Sequence, residues 1–155
     1  MSKVIPFYNG PFSQWHMKQM TIDGVDYNCC EQYMMAEKAR LFDDDDTLAK
    51  ILAAKTPREQ KALGRKVKGF TDKTWKKHRL EIVTKANRAK FTQNEDLKKK
   101  LLDTGDAILC EASPKDRIWG IGLKKHDPKA KDKKQWKGLN LLGEALMAVR
   151  DELTE

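Results

Sequence analysis

Residues 28–42, NCCEQYMMAEKARLF, decide how the rest of the chain is read. The stretch predicts an α-helix opened by Asn28, with Cys30, Met34, Met35, Leu41 and Phe42 supplying apolar contacts. Glu31, Met35, Lys38 and Phe42 stand three or four residues apart, so they form one line along the helix. Met35 and Phe42 belong in a core and turn that line inward. Yet the same line carries a carboxylate and an ammonium, each expensive to bury unless paired or used. Two readings of Glu31 are therefore open. Asn28-x-x-Glu31 has the spacing of a capping box, in which Glu31 reaches back to the Asn28 backbone N–H. Alternatively, Glu31 is a working carboxylate facing a cleft.

A chain of 155 residues with 39% hydrophobic content is long enough for one domain with its own core, and a single domain over 1–155 is expected. The opening MSKVIPFYNG has no apolar run of the kind that begins a signal peptide. No later run approaches the ~20 apolar residues of a spanning helix, so a cytoplasmic protein without membrane partners is expected. Cys29, Cys30 and Cys110 make neither a CxxC pair nor a disulfide framework, which fits a reducing compartment. His16, His78 and His126 have no ligand spacing, so no zinc site is expected; no cofactor is expected either.

The net charge of +8 is unevenly distributed: residues 1–60 hold 7 basic and 9 acidic side chains, whereas residues 61–155 hold 24 and 14. The basic half suggests an anionic partner, either a phosphate-bearing small molecule or nucleic acid. Runs such as 98–100 and 131–134 equally fit a solvated lysine surface.

Around this helix the chain reads as α+β, mostly helical with a small sheet. Ile22, Val25 and Tyr27 about Asp23-Gly24 predict a tight hairpin. The four aspartates 43–46 repel one another and suggest an exposed loop or helix start before a short helix over 47–54. Thr56-Pro57-Arg58-Glu59 is a helix start with Thr as cap and Pro in the first turn; Gly64 or Gly69 ends that helix. A long helix is expected over 72–91, with Trp75, Arg79, Ile82, Val83, Ala86 and Lys90 on one face and its two cations able to snorkel. Asn94 caps a further helix stopped at Thr104-Gly105. Residues 107–111 predict a buried strand, and IWGIGL at 118–123, alternating large and small residues, looks like its partner. A basic loop over 124–137 leads to a final helix capped by Asn140, with Leu142, Ala145, Leu146 and Val149 inward. The polar residues that interrupt apolar patterns are Glu31, Lys38, Arg79, Glu111 and Asp116. If they converge, they make a cleft of carboxylates and cations.

Several stretches, in order, resemble a known family. They are Phe12-Ser13, Glu31-Gln32-Tyr33 after the hairpin, Ala36 through Ala39, Leu63-Gly64-Arg65, Trp75 with Arg79, Lys90-Phe91 and Leu102-x-Thr104-Gly105. After these come Leu109-x-Glu111-Ala112-Ser113-x-x-Asp116-x-x-Trp119-Gly120-x-Gly122 and Gly138-x-Asn140-x-Leu142-Gly143 with Leu146-Met147 and Arg150. This pattern resembles the NADAR superfamily, which includes the YbiA-like N-glycosidases. Gln14 departs from it, since the family often has Asn after the Phe-Ser pair; the lysine-rich loop before Gly138 is a second departure. The resemblance implies an α+β hydrolase, independent of metal, that cleaves N-glycosidic bonds. The substrate is then a phosphoribosylamino-pyrimidine of riboflavin biosynthesis or, in other members, ADP-ribose on guanine. A non-catalytic ADP-ribose or nucleotide-binding module is the alternative.

By that resemblance Glu31, Lys38, Trp75, Arg79, Asp116 and Trp119 line the pocket. N-glycoside hydrolysis passes through an oxocarbenium-like state. A carboxylate at the anomeric carbon stabilises its charge and can activate water, a role given to Glu31. Asp116 is the candidate acid for the departing base, or else serves local hydrogen bonds in its turn. Trp75 and Trp119 stack on a flat base or sit in the core. Arg79 and Lys38 hold phosphate, unless Lys38 simply pairs with a neighbour. Gly120 lets backbone approach a ligand or relieves crowding. The helix start at Asn140 seats a phosphate or is an ordinary cap.

Overall fold

The computed structural model describes residues 3–154. The chain is α+β: among the described residues there are six α-helices and two two-stranded sheets. It divides into two compact units, residues 14–93 and residues 1–13 with 94–155.

The unit of residues 14–93 is built on the quoted helix. Strands β1 (Val4–Phe7) lies outside it; β2 (Met20–Ile22) and β3 (Val25–Tyr27) form the expected antiparallel hairpin. Asp23 (φ 52°) and Gly24 (φ 80°) make its turn in the left-handed region, which Asp tolerates and Gly prefers. Helix α1 (Cys30–Leu41) follows, with Cys30, Glu31, Gln32, Tyr33, Met34, Met35, Ala36 and Ala39 all buried. Packing on several sides explains why the helix carries no clean apolar stripe: α2 (Asp45–Ala53), α3 (Pro57–Gly64) and α4 (Asp72–Thr92) all pack against it. At Gly64 a Cβ would fall on the Sδ of Met35, so α3 meets α1 through a residue without a side chain.

The aspartate run is a helix start rather than a loop. Asp44 caps α2, accepting from the Thr47 hydroxyl at 2.6 Å and backbone N–H at 3.1 Å, and from the Lys68 N–H at 2.9 Å. These bonds, the Thr47 hydroxyl first, hold its carboxyl below the ordinary 3.8, at about 2. A depressed carboxyl stabilises the fold at pH above its unfolded value and loses that contribution as pH falls through its folded value. Asp44→Asn is therefore expected to melt below the parent at neutral pH, with the gap closing between about pH 4 and 2. Melting curves that stay equally separated over that range would contradict the assignment. Thr56 caps α3 as its sequence predicts, accepting the Glu59 N–H at 3.2 Å.

The second unit holds α5 (Glu95–Leu102), β4 (Ile108–Glu111) and α6 (Leu141–Leu153). The expected partner for β4 was residues 118–123. Instead β4 pairs in parallel with β1, Val4 opposite Ile108 and Phe7 opposite Glu111. The 118–123 segment is irregular. Its alternation of large and small residues reflects close backbone packing: a Cβ on Gly120 would lie 2.9 Å from the carbonyls of Asp116 and Glu111, and Gly122 has φ 72°. Only Ile121 follows the strand, its N–H bonding Glu111 O at 2.8 Å. Helix α6 packs on β4 and buries Leu142, Ala145, Leu146 and Val149, as its period predicts. Cys110, Ala112, Ile121, Leu123 and Ala130 form a small core. The 124–137 loop contains two 3-10 turns, Pro128–Lys131 and Lys133–Gln135. Arg150 is buried and donates to the Thr104 hydroxyl at 2.9 Å, which gives both residues a structural use. No helix among the described residues is long and apolar enough to cross a membrane.

Candidate functional site

The structure resolves the choice at Glu31. Cys29, not Asn28, is the N-cap residue of α1, and it makes no side-chain cap bond. The reach-back to the Asn28 N–H comes from Gln32, one residue later, at 2.8 Å. The Asn28 amide is itself spent, donating to Lys55 O and accepting from Gln60 Nε2, each at 3.0 Å. The capping reading of Glu31 is therefore withdrawn. Glu31 is 4% exposed, and its Oε1 accepts from the indole Nε1 of Trp15 at 3.3 Å. Its backbone N–H bonds Gln14 O at 3.0 Å, which ties the start of α1 to residues 14 and 15. Trp15 is 44% exposed, with the Lys61 ammonium 5.9 Å from its ring centroid. Sequence reading left Trp15 out of the site. The only signal was its place beside the unusual Gln14.

Two turns along α1, Lys38 is half-buried against an aromatic wall. Its Nζ lies 4.5 Å from the Phe70 ring centroid and 5.8 Å from that of Trp75. Phe42 and Phe70 meet edge to face at 5.4 Å. Burial lowers the proton affinity of Lys38, the Glu31 carboxylate raises it, and Arg65 lowers it again. Glu31 and Lys38 thus feel each other, as their shared helix line implies. Trp75 and Arg79, one turn apart on α4, are each 8% exposed. Phe70, 40% exposed, is the open aromatic of this group and was missing from the sequence reading. Its position before α4, outside any periodic pattern, gave no signal.

Lys90, on the same helix, corrects an expectation. It does not snorkel: the residue is fully buried, with its ammonium 5.1 Å from the Phe91 ring, and burial lowers its proton affinity. Arg79 is likewise interior rather than reaching out. All three cysteines are free and buried, and burial pushes Cys29 and Cys110 up to about 12 and Cys30 to about 11. Thiols held so far from ionisation are poor nucleophiles, so covalent cysteine chemistry has no support here. No cluster of His, Cys, Asp and Glu suited to a metal occurs among the described residues. A cavity of about 350 Å³ lies on the opposite face of α1, lined by Tyr33, Glu37, Arg40, His78 and Lys85 among others, and does not include Glu31.

The remaining sequence-predicted residues lie in the other unit. Asp116 is half-buried, and its Oδ1 accepts the N–H groups of Ile118 at 3.0 Å and Trp119 at 2.8 Å, so it has the local turn role. Trp119 is half-buried, and its carbonyl accepts the Leu142 N–H at 3.2 Å. Gly120 is buried, and its missing side chain makes room for its own chain's carbonyls rather than for a ligand. Asn140, in the left-handed region with φ 55°, donates from its amide to Leu109 O at 3.0 Å and accepts the Glu111 N–H at 3.1 Å. The N–H groups of Leu141 and Leu142 bond Ile118 O and Trp119 O. With those groups engaged, the phosphate seat expected at this helix start is withdrawn. Gly120 and Asn140 are structural.

The sequence pattern of the NADAR domain matches residues 6–154. The chain belongs to the NADAR domain family. It is 45% identical over 147 residues to N-glycosidase R617 of Acanthamoeba polyphaga mimivirus, a match covering 91% of this chain and 86% of that one. It is 33% identical to the riboflavin biosynthesis protein VVA0006 of Vibrio vulnificus, all of this chain matching 40% of that longer one. Among solved structures, the NMR structure of the E. coli protein YbiA superposes with TM-score 0.81 at 30% identity, covering 99% of this chain and 87% of that chain. This NADAR chain is accordingly a hydrolase of the N-glycosyl class.

Proposed function

We propose that this NADAR chain hydrolyses the N-glycosidic bond of a phosphoribosylamino-pyrimidine of the kind formed in riboflavin biosynthesis. The observation that carries the reading is the Glu31 carboxylate, buried on α1 and held by the Trp15 indole rather than spent on the helix end. As the C1′–N bond of the ribose breaks, positive charge builds on the sugar. A carboxylate in a site of low water content stabilises that charge far more than one in bulk solvent. In this reading Glu31 also takes a proton from the attacking water, the oxygen bonds C1′, and the base leaves with a proton on its nitrogen. Lys38 and Arg79 supply positive charge for the phosphate, and Trp75 and the exposed Phe70 offer flat surfaces for the pyrimidine. The name of the Vibrio relative supports the choice of substrate.

On the family pattern alone, proton delivery to the leaving nitrogen is given to Asp116. Because its Oδ1 also closes a turn, Asp116→Asn, which keeps an acceptor there, separates the two roles. Its expected result is a fall in kcat of about tenfold or more with an unchanged melting temperature. Loss of stability with full activity in the surviving protein would leave Asp116 only the turn.

A second reading, removal of ADP-ribose from guanine in nucleic acid, has one observation in its favour. In the 124–137 loop, Asp127 and Asp132 turn their carboxylates onto the backbone N–H groups of Lys129 and Lys134. Seven exposed lysines in the loop still outnumber those two carboxylates, which suits a polyanion. Incubating the purified protein with a phosphoribosylamino-pyrimidine, and separately with ADP-ribosylated DNA, decides between them. Ribose 5-phosphate from the first supports the main reading; ADP-ribose from the second alone replaces it. Binding of either without bond cleavage would overturn both in favour of a binding module.

A further inference from the structure

Gln14 is 6% exposed, and its orientation is fixed by its neighbours. The fully buried Asn87 places its Nδ2 2.9 Å from Val83 O, a carbonyl that can only accept, so that atom is the amide nitrogen. The same Nδ2 lies 3.0 Å from the end of the Gln14 side chain, which must therefore present oxygen. The opposite end of that amide is thereby defined as the NH2 group. It is buried, and it has no hydrogen-bond partner among the described residues. Buried donors are nearly always satisfied, and one held in place without a partner asks for an explanation. Gln14 is also tied to Glu31 through the main chain: its backbone carbonyl takes the Glu31 backbone N–H, and the next residue, Trp15, donates from its indole to the Glu31 carboxylate.

We infer that the Gln14 amide is a substrate-binding donor that reads a hydroxyl oxygen of the ribose. The inference rests on the N-glycosidase reading above, and it holds for either substrate, since both carry ribose. The chemistry is complementary: a sugar hydroxyl donates its own proton to a carboxylate and accepts from an amide N–H. Glu31 supplies the first kind of partner and Gln14 the second, on residues joined by a backbone hydrogen bond. A donor set in a rigid buried frame discriminates strongly, because an analogue without the oxygen leaves the N–H unpaired again. Gln14 is thus a specificity residue, and the Asn87 amide is the positioning residue that fixes which end it shows.

The test compares kcat/KM for the phosphoribosylamino-pyrimidine with that for its 2-deoxyribosyl and 3-deoxyribosyl analogues, in the parent and in Gln14→Met. Deoxy sugars differ in intrinsic reactivity, but that difference cancels when the ratio for the variant is divided by the ratio for the parent. The expected result is that Gln14→Met narrows discrimination against one analogue by about ten- to a hundredfold, chiefly through KM for the ribosyl substrate. If Gln14→Met does not fold, Gln14→Asn, which shortens the reach of the amide, must narrow the same ratio. A merely structural Gln14 would shift the melting temperature and leave both ratios alone, which overturns the inference. Failure of the parent to cleave any of the three would instead count against the pyrimidine substrate proposed above, and the same comparison would then use ADP-ribosyl-guanine and its deoxyribosyl analogues.

Discussion

Glu31→Gln is expected to fold normally and to lose turnover by about 10²–10⁴-fold, with little change in KM. The substitution keeps size and an acceptor oxygen for the Trp15 indole, so the local contact survives. What disappears is the negative charge that stabilises the oxocarbenium-like state and the base that activates water. Removing a carboxylate from a site only 4% exposed also removes a desolvation cost, so the melting temperature should hold or rise. Lys38 should respond as well: Glu31 raises its proton affinity, and without that carboxylate the ammonium becomes easier to deprotonate. Steady-state kinetics and thermal melts on one preparation test both halves. Activity within a few-fold of the parent would remove Glu31 from the chemistry.

Gly138→Ala carries the largest expected effect on stability. A Cβ there would fall on the carbonyl oxygen of Gly120 and lie 2.8 Å from the Cα and 3.0 Å from the carbonyl of Arg117. All three obstacles are backbone, and two are pinned: Gly120 O accepts the Asn140 N–H, and Arg117 O accepts the Leu139 N–H. Overpacking against atoms that cannot rotate away costs about 3 kcal/mol. For a chain of this size that corresponds to a fall in melting temperature of roughly 6–12 °C. Circular-dichroism melts of the parent and variant measure it, and a change under about 1 °C would mean that this loop yields readily.

The parts of the fold legible in sequence are those governed by local chemistry. The hairpin at Asp23-Gly24, the Thr56-Pro57 helix start and the inward face of α6 each follow from residues within a few positions of one another. The parallel pairing of β1 with β4 joins segments about a hundred residues apart, and no local pattern encodes it. The 118–123 alternation imitated a strand because glycines that admit a neighbouring backbone have the same spacing as a pleat. At the site, the inward line of α1 put Glu31 in the interior, while Lys38 farther along it is half-buried. Its capping alternative failed by one residue, because Gln32 is long enough to reach back to Asn28 and leaves Glu31 to face Trp15. Phe70 and Trp15 escaped notice because an isolated aromatic on an irregular segment reads as nothing in particular until its neighbours are known.

Position 140 brings together two demands that few side chains satisfy at once. A left-handed backbone there admits Gly, Asn or Asp at modest cost. Glycine would keep the bend but leave the Leu109 carbonyl and the Glu111 N–H to find other partners. Aspartate would set an acceptor against an acceptor at Leu109. In a library randomised at this codon, survivors should therefore be almost all asparagine, although the residue sits at the mouth of a helix where many others would normally serve.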